Sequence, residues 1–255
     1  MLLAIDIGNT NIVIGCIEDD RIIFKARIAT DRTRTSDQYG VEIKNMVEAF
    51  GVQVSEISDC IISSVVPPVF NSIKTGVIKV IGKQPMVVGP GIKTGLNIQV
   101  DNPSQVGSDR IVIAVAALAE YEPPLTLLDL GTATTIEVVD RGNVYLGGCI
   151  IPGVRVSLEA LTSRASQLPG IQLDRPKKVI GKNTVDCMRS GVMYGAAAML
   201  DGMIDRVEDE LGFSTTVVAT GGMAQFVCPL CRRDIKLERD LLLKGLNIIY
   251  KKNIK

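Results

Sequence analysis

One short pattern occurs twice in this chain of 255 residues, and the repeat constrains the fold more than any other feature. Asp6-Ile7-Gly8, followed by the small polar residues Asn9, Thr10 and Asn11, ends an apolar β-type run near the N-terminus. Asp129-Leu130-Gly131, followed by Thr132, ends another almost half the chain later. Self-similarity at that period implies that one supersecondary unit is built twice. The first copy has three β-rich runs, Leu2 to Ile5, Ile12 to Ile17 and Ile22 to Phe24, separated by polar turns as in an antiparallel meander. The second copy repeats them as Leu127 to Thr132, Ile136 to Val139 and Val144 to Leu146.

Alternating elements follow each meander. Thr35, Ser36 and Asp37 are cap-type residues ahead of Val41, Met46, Val47 and Phe50, which share one helical face. Cys60-Ile61-Ile62 reads as a short buried strand, Pro67-Pro68 opens a helix reaching Ile81, and Met86 to Val88 reads as a strand. The stretch from Gly89 to Asn102 reads as loop, and a buried helix over Ile111 to Tyr121 begins near Gly107 to Asp109. In the second half, helical patterns cover Gly153 to Leu161 and Val185 to Leu211. A strand at Val217 to Ala219 and a C-terminal helix carrying Leu241 to Ile249 follow. The pattern predicts an α/β fold of two duplicated domains with mixed sheets, divided as 1–122 and 123–255.

Composition removes several functions. The chain has no histidine, which excludes histidine bases, Ser-His-Asp triads and every His-containing metal site. Lys plus Arg and Asp plus Glu are each 28, so no net basic charge points to nucleic acid. The longest apolar run, Ile111 to Ala119, is about half of the roughly 20 residues a membrane helix needs. The N-terminus lacks a basic signal region, and six scattered cysteines suit a reducing compartment, so we expect a cytoplasmic protein with free thiols and no membrane association.

A strand that ends in Asp-x-Gly and turns into another strand presents several unobstructed backbone N–H groups, which can hold phosphate oxygens. Carboxylates beside phosphate act through a cation, so Asp6 and Asp129 imply magnesium or potassium. Val217-Val218-Ala219 runs into Gly221-Gly222, where a nucleotide base or ribose can approach the backbone. Gly107-Ser108-Asp109-Arg110 adds an acid and a fixed cation at a helix start. Two phosphate turns and a Gly-Gly turn in duplicated halves resemble the actin, hexokinase and Hsp70-like ATPases, an RNase H-like architecture with an ATP cleft between the domains.

The ordered set Asp6-Ile7-Gly8-Asn9-Thr10-Asn11, Asn102-Pro103, Gly107-Ser108-Asp109-Arg110, Asp129-Leu130-Gly131-Thr132-Ala133, Ile151-Pro152-Gly153, Gly181-Lys182-Asn183-Thr184 and Ala219-Thr220-Gly221-Gly222 resembles the type III pantothenate kinases over most of the chain. That resemblance implies a transferase that phosphorylates pantothenate to 4′-phosphopantothenate with ATP and Mg2+, the first step toward coenzyme A. It also implies a homodimer that requires K+ or NH4+. By the same resemblance, Asp6, Ile7 and the Gly8 to Asn11 turn hold the ATP phosphates and the magnesium, Thr132 contacts ATP, and Gly221 and Gly222 line the nucleotide site. Asp109 is the base for the substrate hydroxyl; Gly107, Ser108, Arg110 and Thr184 line the pantothenate pocket; and Asp129 ligates the monovalent cation. This chain has Ser108 where the family commonly has Ala, and Val100 where the family often has a pocket tyrosine, whose loss removes one substrate hydrogen bond.

Phosphoryl transfer needs alignment and charge neutralisation, which carboxylates, backbone amides and metal ions supply without histidine. Cys228-Pro-Leu-Cys231 has redox or zinc-type spacing, but the other ligands of a closed zinc site are missing, so it is read as incidental. Lys251, Lys252 and Lys255 read as a solvated terminus, and Met193 to Met203 as a helix packed either on a partner or internally. The rival functions are a sugar or acetate kinase of the same superfold and a non-enzymatic regulatory accessory protein.

Overall fold

A computed structural model describes residues Met1–Ile254; Lys255 lies outside the described residues. It resolves into two compact units that interleave along the chain: Met1–Leu96, Asp101–Ala119 and residues 240–254 form the first, Asn97–Val100 and Glu120–Arg239 the second.

The first unit is built on β1 (Leu2–Ile7), β2 (Asn11–Glu18), β3 (Arg21–Ala29), β4 (Asp59–Ser64) and β5 (Met86–Val87), in the order β3-β2-β1-β4-β5. β1 pairs antiparallel with β2 and parallel with β4. All six residues of β1 are buried, as expected for a central strand covered on both faces. On one face Leu3, Ile5, Ile7 and Ile14 pack with Tyr39, Ile43 and Ile73 of α1 (Ser36–Ala49) and α2 (Pro67–Ile81). Thr35 caps α1 in a reciprocal box with Gln38, and Pro67 opens α2 with Gly82 closing it in a left-handed cap. The two helices touch at glycine: a methyl on Gly76 would lie 2.6 Å from the Ser36 carbonyl. α3 (Ser108–Glu120) and the C-terminal α7 (Leu241–Asn253) complete the unit. There Leu243 fills the space above Gly15, and Gly245 lets α7 approach the Val112 carbonyl of α3.

The second unit repeats the plan. Its strands are β6 (Asn97–Ile98), β7 (Leu125–Leu130), β8 (Ala133–Asp140), β9 (Val144–Pro152), β10 (Thr216–Thr220) and β11 (Lys236–Leu237), ordered β11-β10-β7-β8-β9-β6. Read from the other edge this is the first sheet's order with β6 added, and β7 again pairs antiparallel with its successor and parallel with the strand beyond the crossover. α4 (Val154–Arg164), the long α5 (Thr184–Leu211) and the short α6 (Ala224–Val227) belong to it. Met193, Ala197, Leu200 and Ile204 of α5 are buried against Leu128, Leu130 and Ile136, while Gly191, Gly195 and Ala198 are exposed. No helix among the described residues is long and apolar enough to cross a membrane.

Two elements depart from the sequence reading. The stretch read as loop contains β6, and β9 runs on past Leu146 to Pro152. Gly147 and Gly148 break the apolar pattern there for two different reasons, Gly147 adjoining the bulge opposite Val138 and Val139 and Gly148 lying too close to β8 for a side chain. Gly147 has φ +110°, and a methyl on Gly148 would lie 1.7 Å from the Ile136 carbonyl.

Candidate functional site

Both Asp-x-Gly turns lie at the carboxyl end of the central strand of their sheet, between its antiparallel and its parallel neighbour. In the first unit Asp6 is only 5% exposed, and its Oδ1 accepts a hydrogen bond from Ser63 Oγ on β4. The following turn is closed by Gly8 N donating to the Asn11 carbonyl at 3.0 Å. Thr30 clamps it from the end of β3, its N–H bonded to the Thr10 carbonyl at 3.0 Å and its hydroxyl to the Gly8 carbonyl at 2.6 Å. Asn9, Thr10 and Asn11 face solvent, so the turn is held rigidly from behind and exposed in front.

The same unit holds Gly107 to Arg110. Asp109 lies in the first turn of α3, half-buried, with Oδ1 accepting from Arg110 N at 2.8 Å. Helix polarity and Arg110 favour a negative charge at this place. A methyl on Gly107 would lie 2.5 Å from Asp109 Oδ1, so a larger residue there would push the Asp109 side chain aside. Ser108 Oγ accepts from Ser64 N and donates to Ser64 O, both at 3.1 Å. The dipeptide Ser63-Ser64 therefore touches Asp6 with one residue and the Asp109 turn with the next.

In the second unit the turn after Asp129 is one residue tighter, closed by Gly131 N to the Ala133 carbonyl at 3.0 Å. Two glycines support it. Gly153 N bonds the Thr132 carbonyl at 3.2 Å, and a methyl at Gly153 would lie 2.2 Å from that oxygen. Gly221, at φ +94°, would place a methyl 2.4 Å from Asp129 Oδ1 and 2.6 Å from Leu130 N. Thr132 and Gly222 are exposed beside them. Asp129, Thr132 and Gly221 thus converge on one end of the sheet. Val100 lies apart, just beyond β6, its Cγ1 3.5 Å from the position of a methyl on Gly147. Thr184 is the exposed first residue of α5, whose start is set by the Asn183 side chain accepting from Asp186 N at 2.9 Å and by close packing of Gly181 on Cys187.

Ser63 and Thr30 were not singled out by sequence reasoning, and Gly153 entered only within the Ile151-Pro152-Gly153 motif with no role attached. The available signal was Ser63-Ser64 itself, two hydroxyls ending the apolar run Cys60-Ile61-Ile62 where a buried strand has no water to satisfy them.

No group of three or more Cys, Asp or Glu side chains able to hold a metal occurs among the described residues. Single carboxylates suit Mg2+ that arrives with a nucleotide, because it keeps its waters and phosphate ligands and takes only one or two protein oxygens. Burial pushes the Cys228 thiol up to about 11 and the Cys231 thiol up to about 12, so neither is an activated thiolate at neutral pH.

The sequence model of the type III pantothenate kinase family matches residues 2–206. A type III pantothenate kinase of an Exiguobacterium species is 45% identical over 255 residues, covering all of both chains. Among solved structures, component A of (R)-2-hydroxyglutaryl-CoA dehydratase from Acidaminococcus fermentans aligns with TM-score 0.58 at 16% identity over 99% of each chain. A ROK hexokinase from Thermus thermophilus aligns with TM-score 0.53 at 15% identity over 98% of each, and both likenesses concern the fold alone. With a family match spanning most of its length and a relative this similar end to end, the chain belongs to the type III pantothenate kinase family.

Proposed function

We propose that the protein transfers the γ-phosphoryl group of ATP to the primary hydroxyl of pantothenate, giving ADP and 4′-phosphopantothenate on the way to coenzyme A. The observation that carries this reading is an acid and a glycine turn at the same place in both halves of a chain from this family. Asp6, Ile7 and the Gly8 to Asn11 turn receive the phosphates, the backbone amides facing oxygens and the carboxylate facing the nucleotide's Mg2+. Bound Mg2+ neutralises charge on the phosphates. Thr132, Gly221 and Gly222 serve the nucleotide, and Asp129 takes a K+ or NH4+ ion.

Asp109 accepts the proton of the substrate hydroxyl as the new O–P bond forms and the bond to the leaving ADP oxygen breaks. Gly107, Ser108 and Arg110 of the first unit and Thr184 of the second serve pantothenate, and Val100 lacks the hydroxyl that is common in the family at its position. The working form is a cytoplasmic homodimer with no nucleic-acid or membrane partner.

A coupled ADP assay with pantothenate, sugars and acetate as acceptors, in potassium and in sodium buffer, tests the reading. Turnover with pantothenate alone, stimulated by potassium, is expected. Turnover with another acceptor but not pantothenate refutes the substrate, and equal rates in both salts refute the cation.

A further inference from the structure

Ser63 stands out among the polar side chains of the first sheet because it is 0% exposed at the end of an otherwise apolar strand. A buried hydroxyl without a partner costs roughly 1–3 kcal/mol, so its bonding is a structural question with one answer. The parallel ladder of β1 and β4 puts Ser63 in register with Asp6, so both side chains leave the sheet on one face, and Ser63 Oγ donates to Asp6 Oδ1. The strand end that carries Ser63 is fixed from both sides. Val65 N bonds the Ile7 carbonyl at 3.1 Å, and Ser64 is clasped by Ser108. A serine on so immobile a backbone has little freedom except to hold its acceptor.

The second sheet carries the same juxtaposition. Its ladder places Thr220, 4% exposed, in register with Asp129. A buried hydroxyl residue across the parallel pair from the turn acid is thus a feature of the duplicated unit, present in both halves although the two turns differ by a residue.

We infer that Ser63 is a positioning residue for Asp6, holding one carboxylate oxygen so that the acid meets the magnesium of bound Mg-ATP in a single orientation. This rests on the reading above in which Asp6 faces the metal-bearing phosphates. Partners that orient a metal-facing group typically contribute about 10- to 100-fold to metal affinity. The loss of Ser63 should therefore appear in Mg-dependent nucleotide binding and in kcat, and leave pantothenate binding alone.

The test uses the full chain with Ser63→Ala, Ser63→Cys and Asp6→Asn. Ser63→Cys keeps a weaker donor of similar size and serves if the alanine variant melts below the assay temperature. ATP affinity is measured by calorimetry with and without Mg2+, alongside kcat and the KM for pantothenate. For Ser63→Ala we expect about a tenfold loss of Mg-ATP affinity and of kcat. ATP affinity without Mg2+ and the KM for pantothenate should stay within about twofold, with Ser63→Cys between wild type and Ser63→Ala. Wild-type Mg-ATP affinity in both Ser63 variants, with Asp6→Asn impaired, overturns the inference and leaves Ser63 as a packing residue. An equal loss with and without Mg2+ also overturns it. Unimpaired Mg-ATP binding by Asp6→Asn instead overturns the assignment of Asp6, and the inference falls with it.

Discussion

Substituting Gly221 by alanine probes the tightest feature of the second turn. The new methyl would sit 2.4 Å from Asp129 Oδ1 and 2.6 Å from Leu130 N and C, whereas unstrained carbon contacts lie at about 3.5–4.0 Å. The Leu130 backbone belongs to β7, which is held by β10 on one side and β8 on the other, so it cannot retreat, whereas the Asp129 carboxylate can only turn aside. The Gly221 loop must shift instead, stretching the 3.1 Å bond from Met223 N to the Leu130 carbonyl. Two costs add. The left-handed φ of +94° disfavours alanine by about 1–2 kcal/mol, and the forced displacement costs about 1–3 kcal/mol. Gly212→Ala isolates the first cost, because Gly212 has φ +76° and nothing within 4 Å of its added methyl. Thermal denaturation should therefore show Gly221→Ala about 2 kcal/mol less stable than Gly212→Ala, a further drop of roughly 4–8 °C for a chain of this size. Potassium activation should weaken in Gly221→Ala alone, since Asp129 is the group displaced. Equal melting temperatures for the two variants would refute the contact argument.

Asp109→Asn keeps the shape of the helix start and removes the charge that lets the side chain take up a proton, so kcat should fall about 10²- to 10⁴-fold with ATP affinity almost unchanged. Retention of more than about a tenth of wild-type kcat would make Asp109 a substrate-orienting or helix-start residue. Thiol labelling at pH 8 should modify exposed Cys187 first. Burial pushes Cys16 and Cys231 up to about 12 and Cys228 up to about 11, so their reactive thiolates form only as the pH rises toward those values, far above the labelling pH. Labelling of Cys228 and Cys231 as fast as Cys187, read by mass spectrometry, would contradict this.

What the sequence displayed best were features written in local chemistry. Pro67 at the start of α2, the cap at Thr35 and the paired Asp-x-Gly turns all fell where their residue types dictate. Features that depend on which strands become neighbours were hidden. Ser63 meets Asp6 only because the chain crosses over to lay β4 parallel to β1, and nothing within either segment announces that pairing. The end of β9 was hidden for another reason, since Gly147 beside the bulge and Gly148 against the Ile136 carbonyl together look like a turn. Of the candidate site, the acids and glycines could be picked out as residue types, whereas the side chains that hold them, Thr30 and Ser63, required the sheet order.

The placement of α7 in the first unit has a consequence for how the chain is made. Leu243 covers Gly15 and Gly245 seats against Val112, so the first sheet obtains part of its cover from residues translated only after the whole second unit. The ribosome adds about 5–20 residues per second, and the segment from Glu120 to Arg239 emerges between Ala119 and α7. The nascent first unit therefore waits on the order of 10 s with an apolar face open, while the second unit, contiguous apart from Asn97–Val100, can close as soon as β11 appears. Biogenesis thus runs against the order of synthesis: the first unit can be completed only after the second has emerged, and its apolar face stays uncovered throughout that interval.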